Sequence, residues 1–384
     1  MAINTMAKEA AVDNSTVKSA APANVLLTTR THYMALDGLR GIAAVAVVIF
    51  HFMEFIIPDY ADSFIGHAYL AVDFFFCLSG FVVAYAYDNR IKKLGKAAFF
   101  KMRLIRLQPM VVIGAFIGLL TFLLDPFHHF YAQYGCKDTA VMFLSAAFMI
   151  PHPAMPERYN NLFYFNPPTW SLFWEYIANI CYAVILFKIH KKILIPLTIL
   201  AACILVYTAH QFGNLSIGWG AENWIGGAAR LFYSFLAGIL VYRSKWLIQN
   251  KLGFLGMGAL LAIAFLIPYV DRINWITEPI IVIFYFPLLV ALGAGVRINK
   301  SVQPACKFLG DISYPLYMVH YPFLWVFLSY LETQKPSMGQ LYVQIPVITC
   351  LLIGFAYIMA KFIDEPVRKY LKGRWQKGIK ATRS

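Results

Sequence analysis

Long apolar runs, broken by short polar segments, recur from residue 35 to residue 362. A hydrocarbon core about 30 Å thick needs roughly 20 apolar residues per helix. The runs divide into ten such lengths: 35–57, 67–87, 107–124, 168–187, 193–210, 223–243, 252–269, 276–297, 308–330 and 341–362. An eleventh stretch, 138–150, is too short to cross comfortably. The pattern predicts an all-α polytopic membrane protein of about ten transmembrane helices, with a short re-entrant or interfacial helix near 138–150.

Loop charge assigns the sides. Segment 88–106 holds Arg90, Lys92, Lys93, Lys96, Lys101, Arg103 and Arg106, and segment 188–192 holds Lys188, Lys191 and Lys192. The positive-inside rule puts both in the cytoplasm. An even number of crossings must separate them, which 107–124 and 168–187 supply, so 138–150 stays on the outer side. Of 33 Lys and Arg residues, 28 then lie inside, four (Lys137, Arg158, Arg272, Lys335) lie in outer loops, and Arg230 lies within a span. Both termini are expected in the cytoplasm, with the chain multi-pass in its membrane.

Composition agrees: the chain is 60% hydrophobic and 14% charged over 384 residues, where a soluble domain carries about 25% charged residues. The net charge of +14 is explained by this one-sided placement and needs no nucleic-acid partner. Six scattered cysteines without a CxxC pair support neither a disulfide framework nor a metal site. Residues 1–34 lack an apolar signal core and read as a disordered cytoplasmic tail. Residues 35–362 form the transmembrane domain, and 363–384 form a basic cytoplasmic tail. No internal repeat of the kind that marks inverted-repeat transporters is visible.

Ionisable residues inside a bilayer are costly and mark function by default. In the first span Arg40 and His51 are eleven residues apart, which places them within roughly 20° of one helix face and about 16 Å apart along the axis. Arg40 at the cytoplasmic edge can hold an anion, while His51 at mid-depth can do proton chemistry. The plainer alternative is a snorkelling arginine and a satisfied bundle histidine. Asp73 in the second span requires a partner, either His51 or an intramembrane arginine. Arg103 and Arg106 share one helix face at i and i+3 and suit phosphate, or else anchor the chain to anionic lipid. Glu175 in the fourth span and His320 in the ninth reach the depth of His51. Arg230 is a counter-ion for Asp73 or Glu175, and Ser171 reads as a helix cap.

The Arg40-to-His51 span within LDGLRGIAAVAVVIFHF, then VDFFFCLSGF, RLIRLQP, TWSLFWE, GDISYPLYMVH and the terminal DEP, together resemble the membrane-bound acyltransferase-3 family. They appear in that family's order and cover residues 35–370. The resemblance implies ten membrane helices, an acyl-CoA donor (acetyl-CoA foremost) and a glycan acceptor of the cell envelope or a secreted polysaccharide. It implies that His51 is catalytic and that Arg40 is required, and it assigns Arg103 and Arg106 to the donor's phosphates. Glu175 or Asp73 would orient the His51 imidazole, with His320 nearby; direct transfer and an acyl-histidine intermediate both stay open. Many relatives carry a second, periplasmic SGNH hydrolase-like domain. The sequence runs only 22 residues past the last span, so a stand-alone form is expected, completing transfer in the membrane domain or with separate glycan-assembly proteins. Other acceptors, a small molecule or a lipid, keep the enzyme class; a proton-coupled transporter would use the same buried groups differently.

Overall fold

A computed structural model describes residues 33–381. It is built of α1 (Met34–Ile56), α2 (Ala71–Tyr87), the single turn α3 (Ile91–Leu94), α4 (Lys96–Leu123), α5 (Phe130–Phe148), α6 (Thr169–Val184), α7 (Lys191–Phe212), α8 (Gly226–Arg243), α9 (Gly253–Leu266), α10 (Asp271–Ile280), α11 (Phe286–Gly295), α12 (Gln303–Gln334), α13 (Met338–Ile358) and α14 (Glu365–Ala381). Turns of π-helix join α10 to α11 and α13 to α14. Among the described residues only two isolated β-bridges occur, Asn161 with Gly220 and Asn250 with Val296.

Each of the ten expected spans coincides with a helix or a helix pair. Six segments among the described residues are long and apolar enough by themselves to cross a membrane: Met34–Ile56, Ala68–Tyr87, Lys96–Leu123, Lys191–Phe212, Asp271–Gly295 and Met338–Lys377. The other four fall short for local reasons. The helices α6 and α9 have 16 and 14 residues, α8 carries Arg230 and Arg243, and α12 carries Asp311, Ser313 and His320.

Two boundaries move. The third span begins at Lys96 rather than 107, so Arg103, Arg106 and Pro109 lie inside α4; a proline is tolerated there because neighbouring helices re-satisfy the freed backbone. The eleventh stretch is a 19-residue helix, α5, starting at Phe130 and bent at Gly135, whose φ is 68°. Its polar first half, with Gln133, Lys137 and Asp138, concealed it in the sequence. The tail expected over 1–34 lies outside the described residues except for its last two, and the basic C-terminal stretch is helical as far as Ala381.

Two parallel pairs organise the bundle. The helix α1 lies along α12, and α2 lies along α8. Glycines permit the second contact: a Cβ on Gly80 would strike the Phe235 carbonyl, and one on Gly238 the Cys77 carbonyl. The loops sort to two ends as the charge pattern requires. At one end Leu162 N–H donates to the Trp219 carbonyl at 3.0 Å and Asn214 donates to Tyr269 at 3.1 Å. At the other, Arg243 pairs with Asp88 at 2.8 Å and donates to the Leu186 and Ile189 carbonyls.

Candidate active site

A spacing of three residues puts His51 and Glu54 on one face of α1. The His51 Nδ1–H donates to Glu54 Oε1 at 2.7 Å. A carboxylate can only accept, so the bond places a hydrogen on Nδ1 and leaves Nε2 as the ring nitrogen not engaged by Glu54. The Tyr60 and Tyr321 hydroxyls stand 3.4 and 3.5 Å from the same carboxylate. Tyr60 lies in the loop after α1, where burial and then the charge of Glu54 push its hydroxyl's pKa up, so it remains a donor. The His320 ring stacks on His51 with centroids 5.5 Å apart and planes at 22°. His320 is fully buried, and its Nδ1–H donates to the Leu316 carbonyl at 3.0 Å. Its Nε2 is buried without a partner among the described residues.

His51 and Glu54 line a cavity of about 290 Å³ whose wall includes Tyr60, Tyr159, Asn161, Trp219, Arg230 and Tyr317. Most of these come from the loops at the end opposite Arg40. Two loops meet through Asn161 and Gly220 to close this side. Ser171 donates to the Pro168 carbonyl and meets the Tyr317 hydroxyl at 2.8 Å, so its oxygen is occupied structurally.

The other carboxylates are paired with arginines, Asp73 taking the second of the two partners expected for it. Asp73 takes Arg230, with Nη2 to Oδ2 at 2.6 Å and both groups buried. Arg230 also donates to the Ile217 and Tyr69 carbonyls. Glu175 accepts from Arg103 at 2.6 Å and from Ser79 at 2.9 Å. Neither carboxylate reaches His51, so the expectation that Glu175 or Asp73 orients the imidazole is corrected. Asp73 is turned toward Arg230 in α8 and Glu175 toward Arg103 in α4 and Ser79 in α2, and it is Glu54 that meets the imidazole.

The arginines divide as well. Arg40 Nε donates to Ser313 at 2.8 Å and its Nη2 to the Gly310 carbonyl at 3.0 Å, with Asp37 at 3.4 Å. Arg103 is buried against Glu175 at 2.6 Å, and its Nε has no hydrogen-bond partner among the described residues. Arg106 is exposed, makes no hydrogen bond or ion pair among the described residues, and lies within electrostatic range of Arg40, Arg103 and Arg368. One helix therefore carries both a cationic end, at Arg40, and an imidazole paired with a carboxylate, at His51.

Two features escaped the sequence reading. Glu54 is separated from His51 by only two residues, a legible i, i+3 signal. Glu278, fully buried in α10, accepts from the Tyr69 hydroxyl, from Leu215 N–H at 2.5 Å, and lies 3.3 Å from His67; nothing in its local pattern shows that two distant segments meet the helix there.

Residues 33–361 match the acyltransferase-domain family known as acyltransferase 3. Protein 2 of the picA locus of Rhizobium radiobacter is 31% identical over 160 residues, which is 39% of this chain and 81% of that protein. The O-acetyltransferase OatA of Staphylococcus aureus is 26% identical over 376 residues, covering 90% of this chain and 58% of OatA. A putative O-acetyltransferase of the same species, SAS0844, is 27% identical over 92% of this chain and 59% of its own length. The chain thus spans less than two thirds of the length of either O-acetyltransferase. No solved structure matches it.

Proposed function

The chain belongs to the membrane acyltransferase-3 family and is an acyltransferase, and from that premise we propose that it moves an acetyl group from cytoplasmic acetyl-CoA to a sugar hydroxyl of a cell-envelope or secreted polysaccharide. The observation that carries this reading is a single helix with a cationic end at Arg40 and, about 16 Å further along, a carboxylate-backed imidazole facing a cavity at the opposite end. The 28-to-4 division of basic residues supports cytoplasmic termini in a bacterial inner membrane, with the cavity facing outward.

Arg106 and Arg40 hold the phosphates of acetyl-CoA by charge-assisted hydrogen bonds. Arg103 contributes through Glu175, which fixes the helix that carries Arg106. The pantetheine arm rises along α1 toward His51. An acceptor hydroxyl in the cavity gives its proton to His51 Nε2 as its oxygen attacks the thioester carbonyl carbon. The C–S bond breaks, and the proton passes from Nε2 to the departing thiolate, giving an ester and free CoA thiol. Glu54 holds the tautomer and stabilises the imidazolium, while stacked His320 fixes the plane of the ring.

The test is acetyl transfer from labelled acetyl-CoA to envelope glycan in membranes. His51→Ala should abolish labelling while leaving the amount of folded protein unchanged. Undiminished labelling by that variant, or unaltered glycan acetylation in a deletion strain, would sink the reading.

A further inference from the structure

We infer that the cavity takes an uncharged sugar ring and rejects a uronate or other anionic sugar, an inference that rests on the glycan O-acetylation proposed above. Only two residues in the cavity wall can carry positive charge, His51 and Arg230. Each already faces a carboxylate. The Arg230 guanidinium gives Nε and Nη2 to Asp73 and further hydrogen bonds to the Ile217 and Tyr69 carbonyls, and the Trp170 ring lies 5.3 Å from its centre. His51 is bound to Glu54. A site built for an anionic sugar keeps an unpaired cation for bidentate recognition, and this wall has none.

The imbalance runs the other way at the reacting atoms. His51 must be neutral to accept the hydroxyl proton, so the charge of Glu54 is uncompensated when the acceptor docks. A sugar carboxylate would then stand in a partly dry cavity beside a like charge, which costs affinity. The remaining wall suits a neutral ring. Trp219, Tyr159 and Tyr317 offer flat apolar faces with polar edges, and Asn161 and Ser216 offer neutral hydrogen-bonding groups. At about 290 Å³ the volume lies at the low end for small-molecule sites, enough for one ring with its neighbours outside.

Matched glycosides test this with the full chain in lipid nanodiscs, where both faces are open to solution. Labelled acetyl-CoA is supplied with glucoside and glucuronide, galactoside and galacturonide, mannoside and mannuronide trisaccharides that differ only at C6 of the terminal ring. The neutral member of the productive pair should be acetylated at least tenfold faster. Equal or faster acetylation of the uronide overturns the inference and leaves the glycan reading standing; acetylation of lipid with no glycoside labelled removes both. Tyr159 is exposed, so Tyr159→Arg adds an unpaired cation to the wall with little threat to folding. It should narrow the neutral-to-uronide ratio at least fivefold, and because a ratio cancels any loss of folded enzyme, an unchanged value also overturns the inference.

Discussion

At the scale of single residues, partner identity separates carboxylates that look alike. Glu54 and Glu175 are both glutamates within helices of the bundle, yet one holds His51 and the other holds Arg103. Glu54→Gln should cut kcat for acetyl transfer by about 10²-fold or more with the fold intact, because an amide cannot stabilise the imidazolium. Glu175→Ala should instead lower the thermal stability of the purified protein by about 3–5 kcal/mol, since it strands the buried Arg103. Arg106→Ala should raise KM for acetyl-CoA about tenfold with a weakened salt dependence and leave kcat nearly unchanged, as expected of a phosphate contact. The sequence made His51, Arg40 and Arg106 legible, because each is an ionisable group at a definite depth. It left the partners of Asp73 and Glu175 open, because position along a helix says nothing of the direction a side chain takes around it.

At the scale of elements, the α2–α8 contact illustrates how a membrane bundle is held without a hydrophobic driving force. Gly80 and Gly238 let the backbones touch, and the Asp73–Arg230 pair sits near the outer end of the same interface. Asp73→Ala should cost about 3–5 kcal/mol in a detergent melt by leaving Arg230 buried and unpaired, and the double variant Asp73→Leu with Arg230→Met should recover most of that loss. If the double variant is no more stable than Asp73→Ala, the pair is not the source of the cost. Gly80→Leu has no such rescue, because the clash is with backbone. The helices α4 and α5 show the limits of pattern reading: both begin in polar, largely exposed segments that carry no continuous apolar run to mark them.

At the scale of the whole molecule, the loops collect at two ends in the partition that alternating charge predicts. Orientation has a direct check in a cysteine-free background. A membrane-impermeant maleimide should label Lys335→Cys in intact cells and Lys93→Cys only after permeabilisation, both positions being exposed; the reverse pattern would invert the proposed route from donor to acceptor. The sequence alone determined the membrane as the solvent of this protein, its all-helical class, ten apolar lengths that each coincide with a helix or a helix pair, and its family. Each of these is a local property, a length of apolar chain, a cluster of charge or a short motif. Only the tertiary structure decided that Asp73 belongs to Arg230, Glu175 to Arg103 and His51 to Glu54 beside His320. Pairing depends on the order of helices around the bundle and on the rotation of each about its axis, and both are set by contacts between segments far apart in the chain.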